Sequence, residues 1–221
     1  MDRITWIKEK RRMAEERYDT IFAIDYDSKW GYIEKRHKEN LIYFLSLISN
    51  NHTILDAACG TGKYWPIITS KRYEVVGIDQ SQKMLDKVKE KFPSACVQKM
   101  GLQELNYENK FSGIICMDAM ENIFPEEWLL VLEKFNNALM DKGYLYFTVE
   151  ILGNDEREYA LKKGLEMGFP VVEGEHAYEG GYHYYPTIGK VIEWLSQLKF
   201  EIIKQDSSDG YEHFIVRKQC L

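Results

Sequence analysis

The sequence predicts an α/β fold: a mostly parallel seven-stranded sheet that ends in an antiparallel hairpin, with helices on both faces. The first observation is that short apolar runs, such as 53–58, 74–79 and 111–117, alternate with helical segments of about 10–16 residues. The second is that Asp206-Ser207-Ser208-Asp209-Gly210 joins the last two predicted strands as a hairpin-type turn. The third is that 221 residues, 45% of them hydrophobic, suffice for one domain with a sizeable core.

Hydrophobic periodicity, caps and helix-breaking residues place the individual elements. The predicted strands lie near 53–58, 74–79, 95–99, 111–117, 144–149, 199–205 and 211–218. The predicted helices cover 4–18, 34–49, Ser81 to about Phe92, Pro125 to about Met140, and roughly 187–197. Ser81 is expected to cap its helix, and Asp141-Lys142-Gly143 to form a turn that ends the preceding helix. Residues 18–31 are predicted to be an aromatic and acidic connector, and 151–186 a polar, Tyr-rich insertion.

Net charge and composition narrow the class of partner. The formal net charge is −6, whereas proteins that bind phosphate backbones usually carry a basic face. The one dense basic run, Lys8-Glu9-Lys10-Arg11-Arg12, is interpreted as a solvated helix face because acids follow it at once. DNA or large RNA is therefore disfavoured as a substrate.

Cysteine usage and the lack of long apolar runs indicate a cytoplasmic protein. Cysteines 59, 96, 116 and 220 show no C-x-x-C spacing and are interpreted as buried free thiols in a reducing compartment. They form no cluster typical of a metal site, so we expect no metal. The N-terminus lacks an apolar signal segment, and no apolar run reaches the roughly 20 residues that a membrane span needs. We expect a monomer or homodimer with no membrane contact.

The segment from Asp56 to Lys63, Asp-Ala-Ala-Cys-Gly-Thr-Gly-Lys, follows the first strand, where open α/β sheets bind ligands. A P-loop is excluded because Ala57 and Tyr64 stand where that motif needs Gly and Ser or Thr. A dinucleotide motif, G-x-G-x-x-G, keeps two glycines but has Trp65 at the third position. The remaining interpretation is a ligand without a diphosphate, with an acid at the strand end that meets a charged amino-acid group.

The run Ile54-Leu55-Asp56-Ala57-Ala58-Cys59-Gly60-Thr61-Gly62 resembles the first motif of the class I methyltransferases that use S-adenosylmethionine (SAM) and have a Rossmann-like fold. Ala58 replaces one of the motif's glycines, which matters if its φ is positive. Three further segments resemble the family in order: 76–81, 115–123 and 139–145. The similarity covers about residues 50–150.

The resemblance implies a SAM site, with S-adenosylhomocysteine (SAH) as the product. Asp79 lies 19 residues after Gly60 and is expected to accept the ribose hydroxyls, with Met84 near adenine. Gly101 lacks the acid that the family places near the adenine amine, so Leu102 and Gln103 are the predicted substitutes. The predicted cofactor residues are Tyr18, Asp56, Ala57, Ala58, Gly60, Thr61, Gly62, Asp79, Gln80, Met84, Leu102, Gln103, Met117 and Asp118.

The same resemblance implies that the chain has two regions. Residues 1–50 form a helical lid, and residues 51–221 form a SAM-binding domain with an acceptor-side insertion at about 151–186. Asp118 and Glu121 are expected to border the point of methyl transfer. His183 in the insertion is the first candidate general base and His37 the second. Trp65 is predicted to pack in the core, whereas Tyr64 is placed to reach the methionine part of SAM.

The expected activity is methyl transfer from SAM to an O, N or C nucleophile of a small molecule. Three alternatives stay open at this point. They are an NAD-dependent oxidoreductase, a SAM-binding regulator without activity, and a methyltransferase that acts on RNA or protein. Trp65 and the final hairpin disfavour the first, and the acidic charge balance disfavours the last.

Overall fold

A computed structural model describes residues 1–49, 52–178, 180–208 and 210–220. Asn50 and Asn51, at the predicted boundary between lid and sheet domain, lie outside the described residues, as do Glu179 of the insertion and Asp209 of the last turn. The strands are Thr53–Ala57 (β1), Glu74–Asp79 (β2), Cys96–Lys99 (β3), Phe111–Cys116 (β4), Leu139–Glu150 (β5), Glu175–Tyr178 (β6), Gly181–Tyr184 (β7), Phe200–Ser208 (β8) and Tyr211–Lys218 (β9).

The α-helices are Arg3–Arg17 (α1), Ala23–Trp30 (α2), Lys35–Ser46 (α3), Trp65–Ser70 (α4), Gln82–Lys91 (α5), Trp128–Ala138 (α6), Asn154–Glu166 (α7) and Ile188–Gln197 (α8). A π-helical turn, Tyr18–Phe22, joins α1 to α2, and short 3-10 turns cover Leu102–Glu104 and Met120–Asn122. No helix in the described part of the chain is both long and apolar enough to cross a membrane.

Seven strands form one sheet in the order β3-β2-β1-β4-β5-β9-β8. The pairs among β1 to β5 are parallel, with Leu55 of β1 opposite Val76 of β2 and Ile114 of β4. Strand β9 is antiparallel to both β5 and β8. The predicted α/β class, with its mostly parallel sheet and closing antiparallel hairpin, is therefore confirmed.

Both faces of the sheet are covered by helices. On one face α6 and α8 bury a cluster of large aromatic side chains that includes Trp128, Phe135 and Trp194, together with Phe147 and Phe214 of the sheet. On the other face α3 and α4 bury a smaller cluster made of Leu41, Phe44, Leu45, Ile48 and Ile68. Removing this apolar area from water stabilises the fold by roughly 25 cal/mol per Å².

Three expectations about local structure were wrong, and the insertion has elements that were not predicted. Residues 18–31, predicted as a connector, are helical: the π-turn and α2 follow α1 directly, with a non-helical kink at Asp25 (φ −133°). The insertion at 151–186 contains regular structure, namely α7 and a β6–β7 hairpin that forms its own two-stranded sheet. The helix predicted from Pro125 begins at Trp128, after a turn over 125–127. Cys59 and Cys116 are buried as expected, but Cys96 and Cys220 are exposed.

The turn predicted at 141–143 lies inside β5. Leu139 pairs with Phe111, and pairing resumes with Tyr144 opposite Gly113, so residues 140–143 form an irregularity in the strand. Lys142 there has a φ of 61°. The chain thus makes the predicted local break without leaving the sheet. Ser81 caps α5 as predicted, since its Oγ accepts a hydrogen bond of 3.1 Å from the amide of Met84.

Ala57 and Ala58 provide a test of backbone strain at the end of β1. Ala58 has a φ of 61°, a conformation that costs a non-glycine residue about 1–2 kcal/mol, whereas Ala57 lies in the strand and is fully buried. We expect Ala58→Gly to leave the free energy of unfolding unchanged or raise it by up to about 1 kcal/mol. Ala57→Gly, the matched control, should lower it by about 1 kcal/mol or more. Urea unfolding measures both, and equal losses for the two variants would contradict the assignment of strain to Ala58.

Candidate functional site

The loop after β1 forms a compact turn at the carboxyl edge of the sheet. Gly60 and Gly62 both have positive φ, 52° and 75°, where a side chain would be strained. The amide of Cys59 donates to the carbonyl of Ile78 (2.9 Å), which ties the loop to β2. Gly60 therefore lies at the cavity above the sheet, and its backbone is not covered by a side chain of its own.

Asp79, at the end of β2, holds this loop in place. Its Oδ2 accepts a hydrogen bond of 2.8 Å from the amide of Gly60, and its Oδ1 accepts one of 2.8 Å from the amide of Ser81. Burial raises the pKa of Asp79 to about 6, although these two amide hydrogen bonds act in the opposite direction. Its carboxyl group thus has one fixed orientation at the cavity wall.

Trp65 fills the position where a dinucleotide motif would need its third glycine. The side chain is 2% exposed, and its Nε1 donates a hydrogen bond of 2.8 Å to Oδ2 of Asp56. Gly77 in β2 makes room for the indole, because a Cβ there would lie 2.8 Å from Trp65 Cζ2. Trp65 is thus a core residue as predicted, and burial raises the pKa of its partner Asp56 to about 7.

A first cavity, the loop cavity, opens beside Gly60 and Asp79. Eleven of the fourteen predicted cofactor residues line it: Tyr18, Asp56, Ala58, Gly60, Asp79, Gln80, Met84, Leu102, Gln103, Met117 and Asp118. Ala57, Thr61 and Gly62 are not among its lining residues. Ala57 is buried in β1, Thr61 donates to Asp27 of α2, and Gly62 packs near Phe92 and Trp65. These three residues therefore support the loop from the side away from the cavity.

A second cavity, the cap cavity, lies between the sheet edge and the N-terminal helices. Its walls include Tyr18, Phe22, Tyr26 and Trp30 from the N-terminal segment and His183 from β7. The two cavities share lining residues, among them Tyr18, Tyr26, Lys63 and Asp118. A ligand in the loop cavity and one in the cap cavity would therefore meet at Asp118.

The N-terminal helices are attached to the sheet edge through two aspartates. Asp19 accepts hydrogen bonds from Ser81 Oγ (2.6 Å) and from the amide of Lys83 (3.1 Å). Asp27 accepts from Thr61 Oγ1 and from Lys91 Nζ (2.9 Å). These partners lie in the loop after β1, in the loop after β2 and on α5, so the N-terminal helices cover the carboxyl edge beside the loop cavity.

Asp118 is the most heavily bonded carboxylate of the site. It follows β4 with a φ of 53°, and its amide donates a hydrogen bond of 2.8 Å to Thr148 Oγ1. Its carboxylate accepts from His37 Nε2 (2.8 Å), Lys63 Nζ (3.2 Å) and Tyr64 OH (3.2 Å). Burial works against ionisation, but His37 and Lys63 together lower the pKa of Asp118 to about 2. The carboxylate is therefore ionised at any neutral pH, and the left-handed backbone holds it there.

The two candidate bases occupy different environments. His37 is 2% exposed, and its Nε2 is already engaged by Asp118. His183 is half-buried on the wall of the cap cavity, and its Nδ1 lies 3.1 Å from both Tyr185 OH and Glu150 Oε2. Burial lowers the pKa of His183, but the carboxylate of Glu150 acts against this, and the pKa is raised overall. His183 thus has the arrangement of an oriented base, whereas His37 orients Asp118.

The contribution of the basic run on α1 to the cavity walls was not predicted from the sequence. Lys10 is only 6% exposed, lines both cavities and donates to the carbonyl of Tyr178 (2.6 Å), so that part of the run is not a solvated face. Trp6, Lys10 and Ala14 follow each other at intervals of four and share one side of the helix. Trp6 is 4% exposed. That spacing could have indicated a buried side of the helix. It was overlooked because Lys10 is surrounded by charged residues in the sequence.

Comparison with known proteins agrees with this geometry. Residues 54–143 match the family described as "Methyltransferase domain". A protein of Invertebrate iridescent virus 6 that is named as a methyltransferase, 235L, is 33% identical over 111 residues, which cover 48% of this chain and 40% of the viral protein. The match therefore spans less than half the length of that relative.

Solved structures share the fold. A SAM-dependent methyltransferase from Methanosarcina mazei is similar with a TM-score of 0.68 and 19% identity, covering 81% of this chain and 97% of that one. The magnesium protoporphyrin IX methyltransferase from Synechocystis PCC 6803, with bound SAH, has a TM-score of 0.66 and 15% identity over 94% and 98% of the two chains. Residues 54–143 therefore resemble the methyltransferase-domain family, and the sheet has the Rossmann-like fold of these SAM-dependent methyltransferases of known structure.

Proposed function

We propose that the protein transfers a methyl group from SAM to an O, N or C nucleophile of a small molecule. The observation that carries this proposal is the pair formed by Gly60 and Asp79, in which a bare backbone and an oriented carboxylate face one cavity. Trp65 closes the position that a diphosphate-binding loop leaves open, which argues against a dinucleotide.

The loop cavity has the donors and acceptors that SAM needs. Asp79 would hold the ribose hydroxyls, and Met84, Leu102 and Gln103 would surround the adenine ring. Asp118 and Lys63 offer opposite charges to the ammonium and carboxylate of the methionine part, and Tyr18 would cover it from above. Met117 would contribute its backbone.

When bound, SAM supplies an electrophilic methyl carbon, whose bond to sulfur breaks with both electrons left on sulfur as the acceptor's lone pair attacks. The chain's own part is mainly positioning, which is worth up to roughly 7–11 kcal/mol for ideal alignment. The ionised carboxylate of Asp118 favours positive charge where the two cavities meet. The N-terminal helices exclude water from that point, which strengthens the electrostatic interaction.

His183 is the base that we assign to acceptors that must lose a proton. Its Nδ1 is next to Glu150 and Tyr185, so the other ring nitrogen is left for the cap cavity. His37 acts through Asp118 and is a positioning residue. A small acceptor is favoured because α1, α2 and the β6–β7 hairpin border the cap cavity, and because the net charge of −6 opposes nucleic acid. A cytoplasmic location belongs to the same proposal.

The first prediction concerns Asp79. Asp79→Ala removes the group that accepts the ribose hydroxyls, so SAH binding should weaken by about 1.5–3 kcal/mol in isothermal titration calorimetry. Asp86→Ala, which removes a half-exposed acid of the neighbouring helix α5, is the control and should leave the affinity unchanged. Unchanged SAH affinity in Asp79→Ala would contradict the ribose assignment.

The second prediction is a pH dependence of the same contact. Since burial raises the pKa of Asp79 to about 6, the carboxylate that accepts ribose hydroxyls is fully present above pH 6 and is lost as the pH falls through 6. SAH affinity should therefore decrease across that window. In Asp79→Asn the affinity should be low throughout this range, and the pKa of Asp56 should fall as well, because the charge of Asp79 helps to raise it. An Asp79→Asn variant that keeps the wild-type affinity at pH 8 and loses it as the pH falls through 6 would exclude Asp79 as the origin of the dependence.

The third prediction concerns the attachment of the N-terminal helices. Asp27→Ala removes the contacts to Thr61 and Lys91. We expect SAH to dissociate about fivefold faster in stopped-flow measurements, the effect of losing about 1 kcal/mol. Asp25→Ala is the matched control, because among the described residues Asp25 pairs only within α2, with Lys29 (2.7 Å). Equal dissociation rates in both variants would show that these helices do not retain the cofactor.

A further inference from the structure

Glu121 has a buried carboxyl oxygen without a partner in the wall of the cap cavity. The residue lies on the 3-10 turn after β4 and is 6% exposed. Its Oε1 accepts a long contact from Asn122 Nδ2 (3.4 Å), and its Oε2 has no hydrogen-bond partner among the described residues. Five other buried side-chain atoms among the described residues also lack a partner, but Glu121 Oε2 belongs to a cavity-lining side chain, where a ligand could complete it.

The wall that faces this carboxyl group is built of aromatic rings. Tyr18 lies 5.0 Å from Phe22 between ring centroids, Phe22 lies 5.2 Å from Trp30, and Trp30 lies 5.5 Å from Tyr26. All four line the cap cavity. A continuous series of rings, tilted or edge-on to one another, gives a flat aromatic ligand both stacking and edge contacts.

The charges around Glu121 decide what kind of polar group it binds. Glu150 and Asp118 repel its negative charge and His183 attracts it, while burial is the largest influence; together they raise the pKa of Glu121 to about 8. At neutral pH the group is therefore mostly an uncharged carboxylic acid. A hydrogen bond to a neutral O–H or N–H suits it better than an ion pair with an ammonium group, and a ligand carboxylate would face three acids.

We propose that Glu121 binds the methyl acceptor through a hydrogen bond to an O–H or N–H attached directly to an aromatic or heteroaromatic ring. This inference rests on the proposed function, because it assigns the acceptor class of the same site. The ring lies against the aromatic wall, and the hydrogen-bearing heteroatom lies between Glu121 and His183, which line the same cavity. In the bound acceptor the O–H or N–H donates to Glu121, which orients the heteroatom. As the methyl group is transferred the hydrogen turns to His183, which takes the proton, and the lone pair that bonds to the methyl carbon points toward Asp118.

The test compares 2-naphthol with 2-methoxynaphthalene on the full-length protein loaded with SAH. The two probes have the same ring system, but only the first carries an O–H. In calorimetry the wild type should bind 2-naphthol at least about fivefold more tightly, the effect of one hydrogen bond. Glu121→Met should reduce this preference to less than about twofold, and Glu121→Gln, which keeps a hydrogen-bonding group, should retain it.

The control is Glu34→Met, which alters an exposed acid at the edge of the same cavity and should leave the preference intact. Equal affinities of the two probes in the wild type, a preference that survives Glu121→Met, or binding of neither probe would each overturn the proposal. SAH binding is measured in the same samples. If SAH fails to bind, the proposed function is wrong, whereas the ratio of the two probes measured without SAH still tests Glu121.

Discussion

The two hydrogen bonds that Asp79 accepts, from Gly60 and from Ser81, are the constraint on which the site depends. They join the loop after β1 to the loop after β2, so two segments distant in sequence share one carboxyl group. Ser81 is in turn the cap of α5 and a donor to Asp19. Asp79 is therefore connected by hydrogen bonds to the loop after β1 and, through Ser81, to helix α5 and the N-terminal helices.

Asp118 is the second residue on which the site depends. Its backbone conformation and its charge are both unfavourable in free energy, which explains the number of groups that contact it. A left-handed conformation at a non-glycine residue and a buried charge are both unfavourable, and they persist only where the surroundings favour them. Thr148 of β5, His37 of α3, and Lys63 and Tyr64 of the loop before α4 provide that support. The ionised group is thereby held where the loop cavity and the cap cavity meet.

The fold was predictable from sequence because strand and helix periodicities are local properties. The run 53–58, the cap at Ser81 and the final hairpin each contain their own signal, and each was confirmed in the sheet or at its edge. The structure of residues 18–31 and 151–186 was not predicted because their helices and hairpin are stabilised by tertiary contacts, with α5, α1 and the 3-10 turn after β4, rather than by a local pattern. Lys10 was missed for a related reason: nothing in the sequence shows that its helix lies over a cavity.

The positions of site residues followed the same division. Residues adjacent to strand ends, such as Asp79 and Asp118, were placed correctly at the cavity because parallel strands end at one edge of the sheet. Thr61 and Gly62 were not at the cavity, since the direction in which a loop residue points depends on contacts such as that of Thr61 with Asp27. Trp65 was predicted to be buried, but the space that Gly77 makes for it becomes visible only in three dimensions.

The central claim is that the loop between Asp56 and Gly62 binds an amino-acid-bearing nucleoside and not a dinucleotide. The most direct measurement is a calorimetric titration of the full-length protein with SAM, SAH and NAD in turn. SAM and SAH should each bind at one site, and NAD should produce no binding heat. Binding of NAD together with no binding of SAM or SAH would contradict it.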